Sequence, residues 1–325
     1  MVGLEYFMKA GTQTTLRSQT AVSGIGVHSG APATLTMLPA DANTGIVFVR
    51  LGRGGEPDRE IRADVRSVTA TEFATVLGDA SGPLCSTAEH VLAALSGLGV
   101  DNAIIEVDGP EVPIMDGSAE PFVAAIEQAG IVQLAAPRRF IKVLKTVRVA
   151  RNDAYGELRP HAQGFRVDID IEFDHPLIGR QSCRFDVEPA SFRREVARAR
   201  TFGFMRDVAK LWNAGHALGA SFENTLVVTE NRILNPDGLR FADEFVRHKA
   251  LDAIGDLALA GAPLIGIYRS VRGGHNLNYA VLSALMADRS AWTVVEAETA
   301  PRRTHRGHAD VATGLVAPAY GPEVS

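Results

Sequence analysis

A histidine and two aspartates recur every fourth residue in Phe245-Val246-Arg247-His248-Lys249-Ala250-Leu251-Asp252-Ala253-Ile254-Gly255-Asp256. On a helix of 3.6 residues per turn that spacing draws them into one stripe. A helix inside a globular protein lines its inner face with apolar groups, so three ionisable side chains in a row need water, partners or a metal ion to offset their desolvation. The stripe is therefore either a solvated face, the common fate of charge runs on helices, or a metal or catalytic site.

With 325 residues the chain is long enough for two domains of ordinary size. A content of 46% hydrophobic and 22% charged residues is that of a soluble globular protein, and a net charge of -5 argues against a broad nucleic-acid surface. Cys85 and Cys183 are the only cysteines, which excludes a disulfide framework and a four-cysteine zinc site and fits a reducing compartment. Any metal must use histidines and carboxylates. Glu5 and Lys9 interrupt the apolar residues of the N-terminus, which lacks a signal-peptide core. The longest apolar run, Leu257 to Tyr268, is too short to span a bilayer and is broken by Gly261 and Pro263. These features point to the cytoplasm, with no integral membrane segment and no obligate protein partner evident.

Periodicity suggests two halves built alike. In the first, strand-like runs at Ala33 to Leu38, Ile46 to Leu51 and Ala74 to Leu77 lead to a helix from about Thr87 to Leu98, an apolar strand at Ala103 to Val107 and a helix from about Ala119 to Ala129. Ala135 to Arg139 reads as a linker. In the second half, Phe140 to Ala150 reads as a strand. Gly164 to Phe173 alternates apolar with charged residues, the pattern of a strand with one wet face. The helix carrying His248 ends by Gly261, and Leu264 to Tyr268 follows as a strand. Each half thus holds a histidine-bearing helix, a glycine stop and an apolar strand, which predicts an α+β protein of two similar domains meeting at a cleft. The expected boundaries are 13–136 and 137–299, with 300–325 a mobile tail.

Two further segments carry chemistry. Ser86-Thr87-Ala88-Glu89-His90 fits a capping box, in which Glu89 reaches back to the cap N–H. It also fits a ligand, His90, beside a basic glutamate, whose ionised form a helix N-terminus favours. Arg272-Gly273-Gly274-His275-Asn276 is a glycine turn ahead of a helix starting near Leu277, which sets His275 at a loop tip.

These segments, with Pro113-Ile114-Met115-Asp116-Gly117-Ser118 and Ala199-Arg200-Thr201-Phe202-Gly203-Phe204, occur in an order that resembles the UDP-3-O-acyl-N-acetylglucosamine deacetylases, zinc amidases of lipid A biosynthesis in Gram-negative bacteria. The resemblance runs from about Thr14 to Met286. It implies two α+β domains with helices packed between two sheets and one insertion per domain. The second insertion, at about Phe202 to Ser221, would enclose an acyl chain with residues such as Leu211 and Leu218. The same apolar residues would equally suit a core.

By resemblance, His90, His248 and Asp252 are the zinc ligands, though ferrous iron is an alternative ion. Two imidazoles and one carboxylate leave such an ion net positive with one position open. Glu89 matches the general base, His275 the general acid, Asp256 the group that orients and charges His275, and Thr201 an oxyanion donor. Lys249 matches a contact to the substrate's phosphates or sugar, and Phe202, Phe173, Arg272 and His28 match further substrate contacts. Some family members carry a cysteine near the metal in the segment matching Thr71 to Leu77, where this chain has Ala74. The function implied is hydrolysis of the N-acetyl amide of a UDP-linked, 3-O-acylated N-acetylglucosamine. The alternatives are an inactive nucleotide-sugar-binding protein on the same fold and a zinc hydrolase of another amide.

Overall fold

The structure, a computed structural model, describes residues 11–52 and 54–297. The first half builds a five-stranded sheet in the order Thr20–Ile25, Pro32–Pro39, Ala103–Val107, Ile46–Arg50, Arg59–Arg62. Pro32–Pro39 alternates as a one-sided strand should, sending Ala33, Leu35 and Met37 into the core. The central strand, Ala103–Val107, runs antiparallel to Pro32–Pro39 and parallel to Ile46–Arg50. The second half builds a seven-stranded sheet around Leu264–Val271, which runs parallel to Phe165–Glu172 and to Arg139–Val143 and antiparallel to Ala154–Arg159.

The expected likeness of the halves is visible in this order of elements. Glu89–Leu98 is followed by Gly99 and the central strand of the first sheet, and Glu244–Ala258 by Gly261 and the central strand of the second. Gly99 and Gly261 both take the left-handed conformation, at φ 76° and 83°. At Gly99 the backbone N–H returns to the carbonyls of Leu95 and Ser96, which closes the helix at little steric cost because glycine has no Cβ.

Those two helices pack on each other at the centre of the molecule. Glu244–Ala258 also lies against Phe165–Glu172 and Arg180–Asp186 of the second sheet. On the other side, Glu89–Leu98 packs on the Glu120–Ala129 helix, which lies against Thr20–Ile25 of the first sheet. One apolar core joins the halves through Leu92, Leu95, Leu251, Ile254, Val167 and Ile169. Gly255 lets the helices touch: a Cβ there would stand 2.0 Å from the Glu89 carbonyl oxygen.

Three expectations are corrected. The linker at Ala135 to Arg139 is structured: Ile131–Pro137 pairs antiparallel with Thr12–Leu16, and Arg138 is buried against Asp101 at 2.9 Å. The strand expected over Phe140 to Ala150 is two strands, Arg139–Val143 and Val147–Arg151. The wet face of Phe165–Glu172 is open to solvent at Arg166 and Glu172 but not between them. Asp168 and Asp170 are buried beneath Arg269, which pairs with both, and Arg184 adds a 2.6 Å contact to Asp168. Long arginine stems cover the sheet while their guanidinium groups neutralise it. The tail expected at 300–325 lies outside the described residues.

Candidate active site

The His248, Asp252, Asp256 stripe faces inward, with each residue 1–2% exposed, so the solvated-face reading fails. His248 Nε2 lies 3.3 Å from Asp252 Oδ1, and His90 Nε2, arriving from the first half, lies 3.6 Å from the same oxygen. The two imidazoles meet edge to face at 5.1 Å. The His248 Nδ1–H donates to the Ala199 carbonyl at 3.0 Å, which directs the Nε2 lone pair into the cluster. Asp252 Oδ2 accepts from Lys249 Nζ at 2.9 Å, whereas Oδ1 is buried without a hydrogen-bond partner among the described residues. A bare carboxylate oxygen between two imidazole nitrogens is costly unless a cation joins it. One ligand atom from each of His90, His248 and Asp252 lies within 4.8 Å of the others, a set that fits a divalent ion.

Charge follows geometry. Burial, with His90 and the Lys249 ammonium nearby, pushes His248 down to about 3, the neutral form a metal ligand requires. Burial works against an ionised Asp252, yet His248, Lys249 and His275 hold its carboxyl well below the usual range.

Glu89 is the first residue of its helix, not the third. Ser86 does not cap it: the N-cap is Ala88, with no side-chain bond, so the capping-box reading is overturned. The frame is displaced by Thr87, whose φ of 58° is unusual for a β-branched residue and is held by its hydroxyl on Glu111 at 2.7 Å. The glutamate instead accepts from the Thr75 backbone N–H at 3.0 Å. A helix N-terminus was expected to favour its ionised form, but burial prevails and raises its pKa.

His275 is not at a loop tip. Gly274 is the N-cap, the helix begins at His275 itself, and the imidazole is 9% exposed. Its Nδ1–H donates to Asp256 Oδ2 at 2.9 Å, and Nε2 faces Glu89 Oε1 at 3.9 Å. Although burial opposes it, the carboxylates of Asp256, Glu89 and Asp252 push the imidazole up to about 10. Glu89 Oε1 and Asp252 Oδ2 thus both face His275 Nε2, at 3.9 and 3.8 Å.

The remaining candidates are spread around this centre. Thr201 follows the buried Arg200–Glu244 pair, 2.8 Å apart, which anchors its segment to the start of the Glu244–Ala258 helix. The Phe202 ring lies with its centre 6.4 Å from that of His248 and carries Lys249 over its face at 5.6 Å, and Phe173 meets it edge to face at 5.8 Å. Lys249, Arg272, Gly274 and His275 line a cleft of about 420 Å³. Arg272 also pairs with Asp153 and, at 2.8 Å, with Glu172. His28 donates its backbone N–H to Glu111 and packs on Phe73 and His216. Leu211 is half-buried, while Met205, Trp212 and Leu218 are 46%, 56% and 54% exposed, so these side chains lie at the surface, beside the exposed Arg206, Asp207 and Lys210, and not in the core. Sequence reasoning missed Thr75, Asn278 and Glu111, which hold Glu89, Asp256 and the segments of His28 and Thr87 without belonging to any periodic pattern.

Comparison with known proteins gives one consistent result. A family model described as UDP-3-O-acyl N-acetylglycosamine deacetylase matches residues 13–287. The chain is 50% identical over 286 residues to the UDP-3-O-acyl-N-acetylglucosamine deacetylases of Brucella ovis, Brucella canis and Brucella melitensis biotype 2, covering 88% of this chain and 99% of each relative.

Proposed function

Because the chain belongs to the UDP-3-O-acyl N-acetylglycosamine deacetylase family, we propose that the buried cluster between its two central helices is where the amide is cut. The protein is a hydrolase that releases acetate from UDP-3-O-acyl-N-acetylglucosamine in lipid A biosynthesis. The observation that carries the assignment of the site is the unpartnered Asp252 Oδ1 between His90 and His248. In this reading the three residues hold zinc, which when bound supplies the positive charge that polarises the amide carbonyl and acidifies water.

The chain's own groups do the rest. Glu89, fixed by the Thr75 N–H, takes the proton of the attacking water. His275, held cationic by its carboxylate neighbours, gives its Nε2 proton to the departing sugar nitrogen, and Asp256 keeps Nδ1 engaged so that Nε2 faces the reaction. The Thr201 hydroxyl donates to the developing oxyanion. Lys249, Arg272 and His28 bind the polar part of the substrate. The same reading divides the chain near Pro137, where the first half closes its own strand pair. Among the described residues no helix is long and apolar enough to cross a membrane.

The apolar surface of Phe202 to Ser221 supports an acyl-chain site, since each buried methylene contributes about 0.8 kcal/mol. Deacetylation of substrates with graded acyl length tests this. The expected result is a kcat/KM that rises with chain length and falls selectively for acylated substrate in Leu211→Asp or Leu218→Asp. Equal kinetics with acylated and unacylated sugar would remove the acyl site while leaving the amidase chemistry standing.

A further inference from the structure

Thr75 joins the two carboxylates that the mechanism needs. It is 1% exposed, and all three of its polar groups are engaged. The backbone N–H donates to Glu89 Oε2 at 3.0 Å, the hydroxyl donates to Asp256 Oδ1 at 2.5 Å, and the carbonyl accepts from the N–H of Ala88, the residue ahead of Glu89. We infer that Thr75 is a positioning residue of the reaction, holding base and acid at a fixed separation by binding Glu89 directly and His275 through Asp256.

The bonding of Asp256 makes the hydroxyl matter. Its Oδ2 is shared by His275 Nδ1 and Asn278 Nδ2, the latter at 2.8 Å, and Tyr268 Oη donates to Asn278 Oδ1 at 2.6 Å, which turns the amide's N–H toward the aspartate. Among the described residues Oδ1 has Thr75 alone as a hydrogen-bond partner. Without that hydroxyl the carboxylate loses the contact that stops it rotating, and the Nδ1 hydrogen bond that aims His275 loosens with it. Here the hydroxyl spans the junction between the halves, 181 residues along the chain, to reach a group that touches the acid.

The inference rests on the deacetylase reading, and the test separates the two. Acetate release from UDP-3-O-acyl-N-acetylglucosamine is measured for the zinc-loaded full chain and for Thr75→Val, Thr75→Ala, Thr75→Ser, Asp256→Asn and Thr75→Val with Asp256→Asn. Metal content and melting temperature are recorded beside it. Loss of a hydrogen bond to a buried carboxylate should lower kcat roughly 10- to 100-fold in the valine and alanine variants, with KM little changed and zinc retained. Thr75→Ser should restore most of the rate, and adding Thr75→Val to Asp256→Asn should cost little more than Asp256→Asn alone. Wild-type turnover in Thr75→Val, no recovery in Thr75→Ser, or losses that multiply in the double variant would each overturn the role. A wild-type chain that releases no acetate would instead overturn the deacetylase reading.

Discussion

Replacing Glu89 by glutamine separates the chemistry of this site from its architecture. The amide oxygen of glutamine still accepts from the Thr75 N–H, so the one hydrogen bond that orients the side chain survives. Helix capping is untouched, because the cap is the backbone of Ala88. What is lost is the capacity to take a proton, and general-base contributions of roughly 10²–10⁴ in rate correspond to about 2.7–5.4 kcal/mol of barrier. Stability should move the other way. Burial raises the pKa of Glu89, so the stability this group contributes is present below its unfolded value and is lost as the pH rises through the folded one. An uncharged glutamine escapes that loss, so at a pH above the folded-state pKa of Glu89 the variant should melt at the same temperature as the wild type or higher. A second effect follows from the Glu89 charge being one of those that raise His275: the alkaline limb of the pH–rate profile should move down. The assay is acetate release across pH beside thermal melting and metal analysis. Turnover near wild type would refute the base, and loss of the metal together with activity would refute the separation of roles.

Removing the metal with a chelator should abolish turnover, and zinc should restore both turnover and one tightly held ion per chain. With free zinc at 1,000 times Kd the fold should gain about 4 kcal/mol by linkage, whereas His90→Ala with His248→Ala should show neither effect in metal analysis or calorimetry. His275, raised to about 10, must be protonated to act, so activity should fall as the pH climbs through that limb, and His275→Ala should erase it in a kcat/KM profile. The same group should stabilise the fold fully below about 6.5 and lose that contribution as the pH rises through about 10, which denaturation at several pH values would read. Gly255→Ala would set a methyl 2.0 Å from the Glu89 carbonyl, so urea denaturation should show a loss of about 1–3 kcal/mol and the assay a fall in rate as Glu89 is displaced.

The sequence carried the centre of this site because its members repeat along one helix or flank it in short motifs. His248, Asp252 and Asp256 sit a turn apart, and an ionisable stripe on a helix flanked by Phe245, Leu251 and Ile254 leaves few alternatives. What could not be read was decided by contacts distant in sequence or by a single dihedral angle. The left-handed turn at Thr87 shifted the helix frame and made Ser86-x-x-Glu89 look like a capping box. Gly273-Gly274 looked like a loop, although Gly274 serves as the cap that places His275 inside. The charges of Phe165–Glu172 looked wet because the arginine over them, Arg269, lies about a hundred residues further on. Thr75 stood in a segment notable only for Ala74, and its partner is on the other half of the molecule.

The charge inventory of the buried cluster explains why these groups are assembled across a junction and not within one domain. Three carboxylates, Glu89, Asp252 and Asp256, face one ammonium, Lys249, and one imidazolium, His275, with His248 held neutral. Taken as ionised, the carboxylates exceed their cations by one, in surroundings where an unbalanced charge is costly. A divalent ion beside Asp252 Oδ1 reverses that sign and gives the orphaned oxygen its partner. The first half alone would hold Glu89 and His90 without Lys249 or His275, and the second alone would hold Asp252 and Asp256 without His90. Only the contact of the two helices, permitted by Gly255, brings His90 to His248 and Asp252 and sets Glu89 Oε1 3.9 Å from His275 Nε2, the ligand set and the base and acid of the proposed reaction. Packing of the halves, metal affinity and the pairing of base with acid therefore depend on the same few ångströms of helix separation, and a substitution that opens that contact should weaken all three together.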